Sequence, residues 1–255
     1  MRKIIDCFTF YNELKMLKLR LTELYDTVDY FIIVEAKHTH KGNEKELLFE
    51  TNKEEYKEFL PKIIHLVVDN MPNTHNAWDN ENYQRCYIDN GIKSLNLNDD
   101  DIIIISDCDE IPDTNTIKNS NINKMYSLEM DFFYYDYTCK FTDKWYHPKI
   151  LPYSVYKMYN NPEKIRMSKN CNSIKKGGWH LSYFGDINFI KNKVQNFSHQ
   201  EYNNDNILND KHLTESIEKG KTFLPHNQSI VKINISDNKY LPKNYKILLS
   251  SEMKL

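Results

Sequence analysis

The chain has 255 residues, of which 40% are hydrophobic and 27% charged, with only 6 glycines and 8 prolines. That balance belongs to a packed globular protein and excludes a collagen-like or low-complexity chain. A formal net charge of −2 gives no general attraction for nucleic acid or an anionic membrane, so an anionic ligand would need a local site. The five cysteines (Cys7, Cys86, Cys108, Cys139 and Cys171) form no CxxC pair, and their odd number leaves at least one thiol, which favours a reducing compartment. No signal peptide and no apolar run near 18 residues is found. The expectation is therefore a soluble, cytoplasmic-type chain with no membrane anchor and no signal for a Golgi or ER lumen.

Lys3–Phe10 reads as a first strand. Asn12 then sits as a helix N-cap with Glu13 in the first turn, before Leu14, Leu17, Leu21 and Leu24 at helical spacing. Val28–Glu35 is a second strand ending in a carboxylate. A polar loop through Thr39-His40-Lys41-Gly42 follows, then a short helix around Lys53–Leu60 and a third strand, Ile63–Val68. Trp78–Leu95 reads as one helix carrying Glu81, Gln84 and Arg85, and it leads into an Ile102–Ile105 strand. Strands alternating with helices imply a βαβ series, a mostly parallel sheet and right-handed crossovers with helices on both faces.

The fourth strand is the chemically suggestive one. Four consecutive isoleucines suit a strand buried on both faces, and they run into Ser106-Asp107-Cys108-Asp109-Glu110-Ile111-Pro112. In extended chain Asp107 and Asp109 point the same way, with Cα atoms roughly 6–7 Å apart. Two such carboxylates repel unless a cation or a proton intervenes, and oxygen ligands suit Mg²⁺ or Mn²⁺. The carboxyl ends of strands are also where open α/β sheets bind ligands. An acidic turn, with Asp113 capping a helix after Pro112, is the competing interpretation of this triplet.

Beyond it the texture changes. Twelve of the 33 aromatic residues fall between Met125 and Tyr159, a layer suited either to stacking on sugar rings or, more simply, to core packing. Gly177-Gly178-Trp179-His180 follows, its paired glycines permitting positive φ or close backbone approach. Ile187 to about Phe223 reads as helical and polar, and Ile230–Ile235 as a short apolar alternation.

Several of these stretches, in order, resemble glycosyltransferase family 17. They are Asp6-Cys-Phe-Thr-Phe-Tyr-Asn12-Glu13-Leu14, Arg20-Leu-Thr-Glu23-Leu24, Val28–Glu35, Thr39-His40-Lys41-Gly42, Glu81-Asn-Tyr-Gln84-Arg85, Ser106–Pro112 and Gly178-Trp179-His180. The family contains the β-1,4-mannosyl-glycoprotein β-1,4-N-acetylglucosaminyltransferases. The resemblance implies an α/β, GT-A type, Rossmann-like single domain and an inverting, metal-dependent transfer. The partners it implies are a UDP-sugar donor, with UDP-GlcNAc the first choice, and an oligosaccharide or glycoprotein acceptor. Residues 1–112 would form a nucleotide-sugar half and 113–255 an acceptor half.

Roles follow for individual residues. Asp109 is expected as a direct Mn²⁺ (or Mg²⁺) ligand, and Asp107 as a water-mediated ligand or a ribose contact. His180 is expected as a further ligand, with His199 as its rival. Asn12, Glu13, Glu35, Arg85 and Glu110 are expected around the donor, with alternatives of a helix cap, a solvated strand end, or an ion pair between Arg85 and Glu81. Inversion needs a general base for the acceptor hydroxyl. Asp186 is the candidate, with Glu129 and Asp131 as competitors. Two other classes share these features: a non-catalytic glycan-binding module, and a metal-dependent phosphotransferase using the Asp-x-Asp pair.

Overall fold

The computed structural model describes residues 2–72, 74, 76–225 and 229–249. Its first half comprises β1 (Ile4–Phe10), α1 (Leu14–Leu24), β2 (Tyr30–Ala36), α2 (Leu48–Thr51), β3 (Ile63–Val68), α3 (Ala77–Cys86), α4 (Ile88–Ser94) and β4 (Ile102–Asp107). The four strands pair in parallel in the order β3-β2-β1-β4. Side chains alternate across them. Phe8, Phe10, Ile102 and Ile104 share a core with Leu17, Leu21 and Leu24 of α1, whereas Ile5, Cys7, Ile103 and Ile105 share another with Ile88 and Ile92 of α4. With both faces covered, a continuous apolar run such as Ile102–Ile105 is what burial requires.

The second half comprises β5 (Glu110–Pro112), α5 (Thr114–Asn119), β6 (Tyr126–Tyr134), β7 (Cys139–Trp145), β8 (Lys149–Pro152), α6 (Tyr153–Tyr159), α7 (Pro162–Arg166), β9 (Asn172–Ser182), α8 (Ile187–Asn196), α9 (Asp210–Lys219) and β10 (Ile230–Lys232). It continues the same sheet in the order β4-β8-β6-β7-β10 with antiparallel pairings, while β9 lies parallel to β6. The α/β, Rossmann-like sheet expected from the sequence is therefore present. Its parallel strands form the half that carries Asp107 and Asp109.

Several local expectations need correction. The single helix expected over Trp78–Leu95 is two, α3 and α4. They part at Tyr87, whose N–H is shared between the carbonyls of Tyr83 and Gln84. The Lys53–Leu60 segment is 3₁₀ turn rather than α-helix. Asn12 does not cap α1. Its amide donates to Asn192 Oδ1 at 3.0 Å, and Glu13 holds the N-cap position while its carboxylate accepts from the N–H groups of Tyr11 and Asn12. The stretch from Ile187 to Phe223 is two helices separated by turns. Asp113 does cap α5, accepting from the Asn115 N–H at 2.8 Å.

Most of the aromatic layer is core. Phe132, Phe133, Tyr134, Tyr135, Tyr137, Phe141 and Tyr156 are buried, and Phe132, Tyr134 and Phe141 pack with Ile190, Val194 and Leu213 of α8 and α9. The alternation through Tyr137 does not continue as strand, because β6 ends at Tyr134 and Tyr135 takes a positive φ of 68°. The tail also has a role: Glu23 on α1 accepts from the backbone N–H groups of Lys243 and Asn244, both at 3.0 Å, tying the C-terminal segment onto that helix.

Candidate active site

A cleft of about 630 Å³ opens at the carboxyl ends of β1, β2 and β4. Asp107 and Asp109 form part of its wall. What brings the opposite wall to them is the short antiparallel pairing of β5 with β9, which sets Glu110 against His180, Ile111 against Trp179 and Pro112 against Gly178. The Leu181 N–H donates to the Asp109 carbonyl at 2.8 Å, closing the ladder. The pairing depends on a missing side chain. Gly178 has φ +139°, and a Cβ there would lie 2.0 Å from the Ile111 carbonyl oxygen.

The loop between β4 and β5 is held from behind by Arg20, which is fully buried. Its guanidinium makes a two-bond pair with Asp6, at 2.8 and 2.6 Å. It also donates to the carbonyls of Asp107 (2.7 Å) and Glu110 (2.8 Å) and to Ser106 Oγ (2.6 Å). A planar fork with five donors can meet such a set at once; an ammonium could not.

In front of the loop, charges alternate. Arg85 on α3 pairs with Asp107, Glu81 and, at 2.6 Å, Glu163. Arg166 on α7 reaches Asp107 at 2.5 Å and both oxygens of Glu110, at 2.7 and 2.8 Å. Lys193 on α8 lies 2.8 Å from Asp109 and 3.4 Å from Glu13. Burial disfavours the charge on Asp107, but Arg166 and Arg85 outweigh it and hold this carboxyl well below its ordinary value. Burial likewise opposes the charge on Asp109, and Lys193 at 2.8 Å overcomes it. Six carboxylates in these pairs face three fixed cations, so the cluster retains an excess of negative charge and would repel a sugar diphosphate unless a further cation were added.

His180 Nε2 lies 3.6 Å from Asp109 Oδ1, and its ring packs on Phe132 and Trp145 at centroid distances of 4.6 and 4.3 Å, those two rings also touching each other at 5.3 Å. Burial pushes its pKa down, which keeps the imidazole neutral as a metal ligand must be. Its Nδ1 has no hydrogen-bond partner among the described residues. No group of three or more His, Cys, Asp or Glu poised to hold a metal occurs among the described residues. Asp109 and His180 thus offer two donors to a cation, fewer than a protein-only shell would need.

The remaining expected residues distribute as follows. Glu13 and Arg85 line the cleft with Asp107, Asp109 and His180; His199 lines it too, but is bonded to Glu201 at 2.7 Å. Glu110 is fully buried behind the wall, where its carboxylate accepts from the Asp107 N–H at 2.6 Å and from the Trp145 indole. Glu35 is no solvated strand end. It is fully buried, bonded to His65 at 3.1 Å and Lys45 at 3.3 Å, and only Lys45 borders the cleft. Asn12 is not among the lining residues, although its neighbours Tyr11 and Glu13 are. Asp186 is absent from the lining as well: it is the N-cap of α8, accepting from the Phe189 N–H at 2.8 Å. Of its competitors, Asp131 is buried between Lys140 and Lys144, and Glu129 lies 3.4 Å from the Tyr146 hydroxyl, both outside the lining.

Sequence reasoning did not single out Arg20, Arg166 or Lys193 as site residues. Arg20 falls three residues after Leu17 and four before Leu24, on the apolar face of α1, and Lys193 falls three after Ile190 and four before Phe197. A cation on a face meant for burial needs a partner. Arg166 gave no comparable signal.

Among known proteins, β-1,4-mannosyl-glycoprotein 4-β-N-acetylglucosaminyltransferases of Rattus norvegicus and Homo sapiens are each 31% identical to this chain over 118 residues. The matched stretch covers 44% of this chain and 22% of each relative. The mannosyltransferase PcManGT from Pyrobaculum calidifontis, solved in complex with GDP-Man and Mn²⁺, superposes with a TM-score of 0.44 and 8% identity, over 77% of this chain and 62% of that one. No helix among the described residues is long and apolar enough to cross a membrane. The family model for glycosyltransferase family 17 matches residues 1–235, and the chain belongs to that family.

Proposed function

We propose that the protein is an inverting, metal-dependent glycosyltransferase that moves a sugar, GlcNAc in the first instance, from a UDP-sugar to a hydroxyl of a glycan or glycoprotein. The observation that carries this is the Asp-Cys-Asp loop at the carboxyl end of β4, bordering a cleft with His180, Arg85, Arg166 and Lys193 around it. The named activity of the N-acetylglucosaminyltransferase relatives supports the choice of donor.

In this proposal the nucleotide lies over the ends of β1 and β2, beside Tyr11, Glu13 and Lys45, and the diphosphate lies over the Asp-Cys-Asp loop. Residues up to about 112 supply the nucleotide end, and residues 113–255 supply the acceptor side together with His180 and Lys193. Asp109 and His180 hold Mn²⁺ or Mg²⁺, which when bound supplies Lewis-acid stabilisation of the leaving diphosphate. Asp107, already clasped by two guanidiniums, orients the donor rather than taking a second cation directly. Lys193 and the two arginines hold the carboxylates of this wall in place before the donor arrives, so that they need no reorganisation during reaction.

The test is a panel of nucleotide sugars with Mn²⁺, scored by thermal shift and by release of nucleoside diphosphate. The proposal expects UDP-sugars to stabilise the protein in a metal-dependent manner and UDP to be released. A glycan-binding module would instead bind oligosaccharide and release none, and equal stabilisation by every nucleotide would defeat the assignment of the donor.

A further inference from the structure

The acceptor hydroxyl must lose a proton, and the carboxylates bordering the cleft are poorly placed to take it. Glu13 and Asp109 are paired with Lys193, Glu81 and Glu163 with Arg85, and Asp107 with both arginines. Each of them is already engaged by a cation. The imidazoles divide more sharply. His40 is bonded to Gln84 at 2.9 Å, His199 to Glu201, and His180 faces Asp109. His38 lies past the end of β2, on the nucleotide side, with Nδ1 buried and unpartnered among the described residues.

His147 differs from all of these. It lies between β7 and β8, lines the cleft, is half-buried, and its ring packs on Trp145 with centroids 4.6 Å apart. Among the described residues its imidazole makes no hydrogen bond or ion pair, while its backbone carbonyl accepts from Lys149 Nζ at 2.8 Å. Trp145 in turn packs on His180, so a row of three rings runs from His147 to the Asp109 side of the cleft. Arg166 from α7, Glu110 from β5, Lys149 from β8 and Asp107 from β4 are the charged groups acting on it. Burial, helped by Arg166, pushes its pKa below that of a free histidine, leaving a ring nitrogen unprotonated at neutral pH.

We propose that His147 is the general base of the transfer, taking the proton of the acceptor hydroxyl as that oxygen attacks the anomeric carbon; the proposal rests on the glycosyltransferase reading above. The new bond joins the acceptor oxygen to the anomeric carbon. The bond that breaks joins that carbon to the diphosphate oxygen, which leaves with the electron pair. The hydroxyl proton ends on the imidazole and passes from there to solvent.

The experiment uses UDP-GlcNAc, Mn²⁺ and the full chain, with water as the acceptor, and follows UDP release against pH together with UDP affinity. For His147→Gln the expected result is a fall in rate of about 10²–10⁴-fold, UDP affinity within about twofold of wild type, and loss of the acid limb of the wild-type pH profile. For His147→Ala, added free imidazole should restore part of the rate, which a purely structural role would not allow. A His147→Gln protein that keeps the wild-type rate and acid limb overturns the proposal while leaving the glycosyltransferase reading intact. A folded wild type that neither binds UDP nor releases it from UDP-GlcNAc overturns both.

Discussion

Replacing Arg20 with methionine removes a cation from a site where nothing else can take its place. Asp6 and Arg20 are both fully buried, and the pair is made by two bonds of 2.8 and 2.6 Å. Without Arg20, the Asp6 carboxylate is left uncompensated in the core and the carbonyls of Asp107 and Glu110 lose their donor. Breaking one side of a buried pair costs about 3–5 kcal/mol. For a chain of this size each kcal/mol shifts Tm by roughly 2–4 °C, so a fall of roughly 6–20 °C is expected in thermal unfolding. Arg20→Lys keeps the charge but not the fork and should be intermediate. Combining Arg20→Met with Asp6→Asn removes the stranded charge and should recover part of the loss, although the loop above it would still lack its anchor. UDP affinity in Mn²⁺ should therefore stay weak in the double variant even as Tm rises. A single variant that loses less than about 2 °C, or a double variant no more stable than the single, would refute this account of the loop.

Gly178→Ala should destabilise by more than about 1–3 kcal/mol, since it combines a positive φ with a Cβ 2.0 Å from a backbone oxygen, and urea unfolding would register it. The pH dependence follows from Asp107 and Asp109, both held below the ordinary carboxyl value. A depressed folded pKa gives stability that is full above the unfolded value near about 3.9 and is lost as pH falls towards the folded value. Tm should accordingly fall as pH drops below about 4, and Asp107→Asn should start lower and fall less. Asp186→Ala should cost about 1 kcal/mol as a lost helix cap and leave UDP release unchanged, because the residue lies outside the cleft lining. A severe loss of activity in a stable Asp186 variant would restore it as the base.

The parallel half of the sheet was legible because burial on both faces leaves long apolar runs. Ile63–Val68 matches β3 at both ends, and Val28–Glu35 and Lys3–Phe10 match within two residues. The Asp107–Asp109 and His180 pairing was legible in kind, since the carboxylates end a buried strand. What brings His180 there is a three-residue pairing of β5 with β9, too short to leave a periodic signal. The aromatic layer left two alternatives open, because composition alone does not distinguish a ring facing ligand from one facing α8 and α9, and the simpler one, core packing, is what the structure shows for most of it. Glu35 and Asp186 were both read from position along the chain. Burial by Lys45 and His65, and a capping bond to Phe189, are three-dimensional facts that position does not carry.

The central claim is that Asp109 holds the metal against the nucleotide diphosphate, and UDP binding by calorimetry with and without Mn²⁺ tests it most directly. Wild type should bind UDP at least about tenfold more tightly with Mn²⁺, a difference near 1.4 kcal/mol. Asp109→Asn should abolish that increment, while metal-free UDP affinity holds or improves as Lys193 is freed for phosphate. An Asp109→Asn protein that is folded and retains the full Mn²⁺ increment would contradict the account.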